Sequence, residues 1–223
     1  MSHLQQQFTP PDLTSVQIDT RKPLILCDAD EVLLRFMASF ELFLHHQNLY
    51  YAWRSYALDG YILNKKDNTT ISKPEINQLI DDFYSQHIDK IPIVSGASAA
   101  LKALSKRATI IIITNIPKKF HQARQQQLNK GGIPYPVLCN TGPKGPLIAS
   151  IAKTQKAPIY FLDDSSRHHA SVKKEVSEVV CIQFIAEPRL AIMTEPCKTC
   201  DYRIDSWSSV QFVIENSLTI KGY

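Results

Sequence analysis

The chain has 223 residues, 44% apolar and 21% charged, which suits one folded domain or one domain with an elaborate insertion and excludes a disordered or collagen-like chain. A net charge of +4 with no accompanying Lys/Arg stripe argues against a nucleic-acid partner. No apolar run approaches the ~18 residues of a membrane helix, so no membrane partner is expected.

Residues 1–20 are polar, contain Pro10 and Pro11, and read as a loose arm without the cationic and apolar segments of a signal peptide. Pro23–Asp28 is a short continuous apolar run ending on an acid, the signature of a strand buried on both faces. Residues 31–58 carry Val32, Leu33, Phe36, Phe40, Phe43 and Leu44, then Tyr50, Tyr51, Trp53 and Tyr56, at helical spacing. Pro74-Glu75 starts a further helix with Ile76, Leu79, Ile80 and Phe83 on its apolar face. After a loop at 92–96, Ser98–Lys106 reads as a helix.

Ala108–Asn115 is the second buried strand, with four consecutive Ile. Lys118–Lys130 is a polar helix, expected to be a solvated face, stopped by Gly131-Gly132. Val137–Cys139 is a short strand, and a turn through Lys144 leads into a helix at Leu147–Lys153. Pro158–Asp164 is a third apolar run ending in acid. A helix at Arg167–Glu175, a strand at Val179–Ile185, an irregular stretch at 187–205 and a helix at Ser206–Ser217 complete the chain. Five cysteines, three of them far apart, suggest reduced thiols of a cytoplasmic protein; Cys197-x-x-Cys200 lacks the second ligand pair of a zinc site and is expected to be free.

Strands alternating with helices predict an α/β fold with a mostly parallel sheet. Ligands of such sheets sit at the carboxyl ends of the strands. Asp28, Thr114 and Asp163 each end an apolar run, so they are expected to meet in one crevice. A strand-helix-strand unit takes ~30 residues, yet about eighty separate Asp28 from the second strand. The excess predicts an inserted helical module over residues 37–93, within a core of 21–36 and 94–223.

Asp28-Ala-Asp30 places two carboxylates on one side of an extended chain. Asp163-Asp164 adds acids at a neighbouring strand end, and so many carboxylates call for a hard cation such as Mg²⁺. Thr114, with the backbone after it, and Lys144 at a helix start offer donors to an anion. These parts can bind a metal and a phosphoryl group, attack it and stabilise the charge.

Four pieces in this order resemble the haloacid dehalogenase-like (HAD) hydrolase superfamily: Leu24–Val32 with its D-x-D run, Ile110–Asn115 (IIIITN), Lys144, and Phe161–Asp164 (FLDD). The resemblance covers residues 21–218 as architecture and about a dozen residues as motif. It implies a Rossmann-like core flanked by helices with an inserted helical C1-type cap. It further implies an aspartyl-phosphate mechanism with Asp28 as nucleophile and Asp30 as general acid and base. Thr114, Asn115 and Lys144 would hold phosphate, and Asp28, Asp30, Asp163 and Asp164 would hold Mg²⁺. The substrate implied is a small phosphorylated metabolite such as a nucleotide or sugar phosphate. Dehalogenase members lack the second acid, so Asp30 favours phosphate chemistry.

Three departures stand out. Glu31 occupies a position where many members have Gly, and either crowds the site or points to the cap. Arg167, His168 and His169 replace a later acid. Lys118 and Lys119 compete with Lys144 for the lysine role. Arg35 is a candidate substrate contact, His45-His46 a helix surface, and the Tyr50–Tyr56 aromatics cap core. The alternatives are a phosphotransferase, a phosphonate-cleaving enzyme, and a catalytically silent binding module.

Overall fold

The computed structural model describes residues 16–223. In chain order it runs β1 (Leu24–Cys27), α1 (Phe36–His46), β2 (Leu49–Tyr51), β3 (Ile62–Asn64), α2 (Lys73–His87), α3 (Ala97–Leu104), β4 (Thr109–Thr114), α4 (His121–Lys130), β5 (Val137–Cys139), α5 (Gly145–Ala152), β6 (Ile159–Asp163), α6 (Ser166–Glu175), β7 (Val180–Gln183), α7 (Pro188–Met193), β8 (Tyr202–Arg203) and α8 (Trp207–Ile220). Most of the expected arm at 1–20 lies outside the described residues.

Six strands form one sheet in the order β5–β4–β1–β6–β7–β8, every neighbouring pair parallel. This is the expected α/β, Rossmann-like fold. The apolar runs are continuous because both sheet faces are covered. Ile25, Cys27, Ile110, Ile112, Tyr160 and Leu162 face one core, and Leu24, Leu26, Ile111, Ile113 and Phe161 face the other. The period of two in side-chain direction divides each run between the cores. β1 lies centrally, with Leu26 level with Ile111 and Phe161, so the ends of β4, β1 and β6 emerge side by side.

The segment between β1 and β4 lies outside this sheet, and it is not all helical. α1 is capped by Gln47, followed by Asn48 at φ +58°, a left-handed turn that Asn tolerates and that stops a helix. Leu49–Tyr51 then pairs antiparallel with Ile62–Asn64. Aromatic and aliphatic residues of this kind fit a pleated, half-buried surface better than a solvated helix. The hairpin packs beside a helix pair built on Phe36, Phe40 and Phe43. These rings meet Phe83 of α2 at centroid distances of 5.5, 5.3 and 5.6 Å. The expected α2 start is present as a capping box, with Ser72 donating to Glu75 at 2.6 Å and Pro74 in the first turn.

Three further expectations are corrected. The Lys118–Lys130 helix is not a solvated face: Arg124, Gln127 and Leu128 are buried. Residues 187–205 hold α7 and the edge strand β8. Cys197 and Cys200 are disulfide-bonded, while Cys27, Cys139 and Cys181 are free. Two cysteines in one tight turn are close enough to join whatever the rest of the chain does. Among the described residues, no helix is long and apolar enough to cross a membrane.

Candidate active site

The strand ends gather acids and a lysine, and charges buried there are paired with one another. Lys144, at the N-cap of α5, is 1% exposed. Its Nζ donates to Asp28 Oδ1 and, at 2.6 Å, to Asp163 Oδ2. Asp163 Oδ1 accepts from the Ser165 amide at 2.9 Å, and its backbone carbonyl lies 2.9 Å from His169 Nε2. The lysine is therefore the cation between the first acid of the D-x-D run and the first acid of the Asp-Asp pair.

The carboxylates are not equivalent. Burial pushes Asp28 up to about 7, with Lys144 opposing. Burial also works against ionised Asp163, but Lys144, His168 and His169 outweigh it and hold that carboxyl below its usual value. Lys144 is raised: burial disfavours its charge, and the two carboxylates more than offset that. Asp163 is thus the firm partner of the lysine, and Asp28 the weaker acid. Asp164 is raised well above its usual value by burial and by the charges of Asp163 and Asp28; the Tyr56 hydroxyl, donating to its Oδ2, works the other way.

Asp30 points elsewhere. Arg124 Nη2 reaches both of its oxygens at 2.9 and 3.0 Å, and Tyr84 Oη donates to Oδ2 at 2.9 Å. Arg124 comes from α4 and is fully buried; Tyr84 comes from α2. Neither role was expected from the sequence. The signal missed was one of composition: HQARQQQLNK has no apolar stripe, so nothing marks which polar face turns inward. Tyr84 was readable only as a neighbour of Phe83.

Thr114 ends β4 at 1% exposure, and its Oγ1 accepts from the Ile116 amide at 3.3 Å. Asn115 is exposed and donates to the Gly142 carbonyl at 2.9 Å while accepting from Asn140 at 2.9 Å. That contact fastens the turn carrying Lys144 to the end of β4. Of the competing lysines, Lys119 pairs with Asp81 at 2.6 Å, and Lys118 is exposed. Arg35 is exposed and is not part of the strand-end cavity's lining, and His45-His46 is a helix surface as expected.

Glu31 lines the strand-end cavity, and its carboxylate turns to the start of α1 at Met37 and to α7. It sits at φ +61°, a region where Gly is unstrained and Glu is not. Its carboxylate accepts from Met37 N at 2.6 Å, in the first turn of α1, and from Glu187 N at 2.9 Å, at the N-cap of α7. Two backbone amides that no helix can satisfy meet one buried acid. Burial raises that acid to about 7 against those two bonds.

The strand ends and the segment between β1 and β4 line an open cavity of about 330 Å³, with Asp28, Asp30, Thr114, Lys144, Asp164 and Tyr56 among its lining residues. The several carboxylate oxygens among these groups suit a hard cation. Among the described residues, no three acidic, His or Cys side chains cluster tightly enough to form a preset cage. A cation there would keep several waters, as Mg²⁺ does.

A scan against protein-family models and a search of curated proteins both match nothing. Solved structures do match. A HAD family hydrolase from Deinococcus radiodurans with bound phosphate and sodium has a TM-score of 0.60 at 12% identity, covering 89% of this chain and 97% of that one. A predicted phosphoglycolate phosphatase from Haemophilus somnus has a TM-score of 0.59 at 14% identity, covering 89% and 100%. A Bacillus subtilis protein described as a HAD-hydrolase and bound to magnesium has a TM-score of 0.57 at 13% identity, covering 87% and 99%. At such identities the likeness establishes the fold, which is that of the HAD-like hydrolases.

Proposed function

We propose that this chain is a Mg²⁺-dependent phosphohydrolase that removes phosphate from a small phosphomonoester through an aspartyl-phosphate. The observation that carries the reading is the buried Lys144 joining Asp28 to Asp163 in the cavity at the strand ends. A silent binding module has no physical need to bury that constellation. The HAD-like fold, shared with phosphate-bound and magnesium-bound proteins, supports it.

Asp28 is the nucleophile: its carboxylate oxygen forms the bond to phosphorus as the bond to the leaving oxygen breaks. Asp30 gives that oxygen a proton and recovers one from the hydrolytic water in the second half, so the cycle closes. Every contact Asp30 makes in the structure comes from a donor. Delivering a proton therefore requires the side chain to turn from Arg124 and Tyr84, and those two residues position it. Lys144, the Thr114 hydroxyl and the backbone beyond it hold the phosphoryl oxygens, with Asn115 keeping the Lys144 turn in place. Asp28, the Asp30 carbonyl, and Asp163 or Asp164 would hold Mg²⁺, which when bound offsets charge on the transferring group. The segment over 37–93 acts as a cap that keeps water from the site.

The test is Mg²⁺-dependent phosphate release from a panel of phosphomonoesters by the wild type beside Asp28→Asn. Release abolished by EDTA and by the substitution supports the reading. Release that survives Asp28→Asn refutes it, and a folded protein that neither binds Mg²⁺ nor releases phosphate is a binding module.

A further inference from the structure

A second cavity of about 600 Å³ lies against the first. The two share Tyr56, Leu58, Asp164 and Ser165, so the Tyr56–Asp164 contact forms their common wall. The larger space is bounded by the hairpin loop, one face of α2 and the start of α6. Its lining mixes apolar Leu58, Ile76 and Ile80 with polar Asn77, Lys73, Arg167 and Asp59; Lys73, Ile76, Asn77 and Ile80 share one face of α2.

Resting on the phosphohydrolase reading above, we propose that this second cavity receives the leaving group, and that the substrate is a phosphomonoester of a bulky, amphipathic alcohol of nucleoside size. Three observations lead there. Asp28 lines the same cavity as Tyr56 and Leu58, so the leaving group of an ester attacked by Asp28 has that wall within reach. The catalytic cavity, at about 330 Å³, is at the small end of ligand sites and is already lined by the phosphate-handling groups. The adjoining volume of about 600 Å³ lies mid-range for sites that enclose a whole small molecule. A two-carbon leaving group stops at Tyr56 and leaves that lining wet. A nucleoside-sized one displaces the Tyr56–Asp164 contact and meets Leu58 and Ile80 together with Asn77, Lys73 and Arg167. Its distance from the nucleophile makes this lining a determinant of specificity and not of chemistry.

The experiment compares kcat/KM for nucleoside 5′-monophosphates, phosphoglycolate and glycerol 3-phosphate in the full chain with Mg²⁺, for the wild type, Asn77→Trp and Ile80→Phe. Asn77 is exposed, so its replacement fills the cavity without disturbing the core. One methylene in an apolar pocket is worth ~10–200-fold, so the wild type is expected to favour the nucleotides by at least ~100-fold. Each filled variant should cut that preference at least tenfold, through the nucleotide's KM. Wild-type preference for the two- and three-carbon esters overturns the proposal. So does a preference that neither variant changes. Either result leaves the phosphohydrolase reading standing if release still depends on Asp28, whereas no Asp28-dependent release from any ester removes both.

Discussion

Replacing Lys144 by Met tests the electrostatic centre of the site. Methionine keeps most of the stem's volume and removes the charge. The lysine side chain is 1% exposed, Asp163 is fully buried, and the Asp28 side chain is 10% exposed. Removing one partner of a buried ion pair costs about 3–5 kcal/mol, because the other charge is left unpaired. Two carboxylates are orphaned here, but the penalty is not doubled. Asp28 already lies at about 7 and takes up a proton near neutral pH at little cost, so the penalty falls on Asp163. A chain of this size loses about 2–4 °C of melting temperature per kcal/mol, so the expected drop is about 6–20 °C at pH 7.5 without metal. Thermal unfolding followed by circular dichroism measures it. Carboxyl protonation narrows the deficit at pH 5.5. Mg²⁺ at tenfold its dissociation constant adds about 1.4 kcal/mol to any site that holds it. A drop under about 2 °C, or one that does not shrink in acid, refutes the account of Lys144 as the counter-ion of Asp163.

Glu31 gives a pH signature. Its folded value of about 7 exceeds its unfolded value of 4.5, so the folded state binds the extra proton. Stability is fully present below the unfolded value and is lost as pH rises through 7, by about 2 kcal/mol between pH 5.5 and 8. Glu31→Gln should flatten that slope in urea titrations, and an unchanged slope shows that the group is not responsible. Arg124→Met should destabilise the protein by about 3 kcal/mol, at the low end for a broken pair because the Asp30 side chain keeps 21% exposure. It should also lower kcat more than tenfold with a changed pH–rate profile, and Arg124→Lys should recover stability better than rate. Asp28→Asn should lower kcat by about a thousandfold or more while the protein stays folded. Thiol titration of the denatured chain should count three thiols before reduction and five after, and a count of five at the outset removes the disulfide.

The sheet and its strand ends were readable because a strand covered on both faces needs an unbroken apolar run, and each run stops where an acid or Thr emerges. Asp28, Thr114 and Asp163 therefore announced a common edge before any coordinates. Lys144 was readable from its place at a helix start, and the structure brings it to Asp28. The hairpin at 49–64 was not readable as such. Its aromatics repeat at intervals that also suit a helix, and only the left-handed Asn48 breaks the pattern. Arg124 was hidden for the opposite reason: a polar helix gives no moment, and burial of its guanidinium is decided by Asp30, 94 residues away. Glu31 shows how a departure from a motif can be structural. Its side chain supplies two amides of α1 and α7 with an acceptor, at a backbone angle that a glycine would adopt without strain.

The segment between β1 and β4 reaches two acids at the strand ends through tyrosine hydroxyls, Tyr84 on Asp30 and Tyr56 on Asp164. Both bonds end on oxygens that a cation, a substrate or a proton would also claim. Linkage makes such competition reciprocal: a ligand that takes those oxygens loosens the segment by the same factor by which the seated segment weakens the ligand. If ligand binding requires those oxygens, the two phenol bonds are part of the free energy that a ligand must replace. Loosening the segment with Tyr→Phe changes would sharpen affinity at the carboxylates, although neither ring would be lost from the wall.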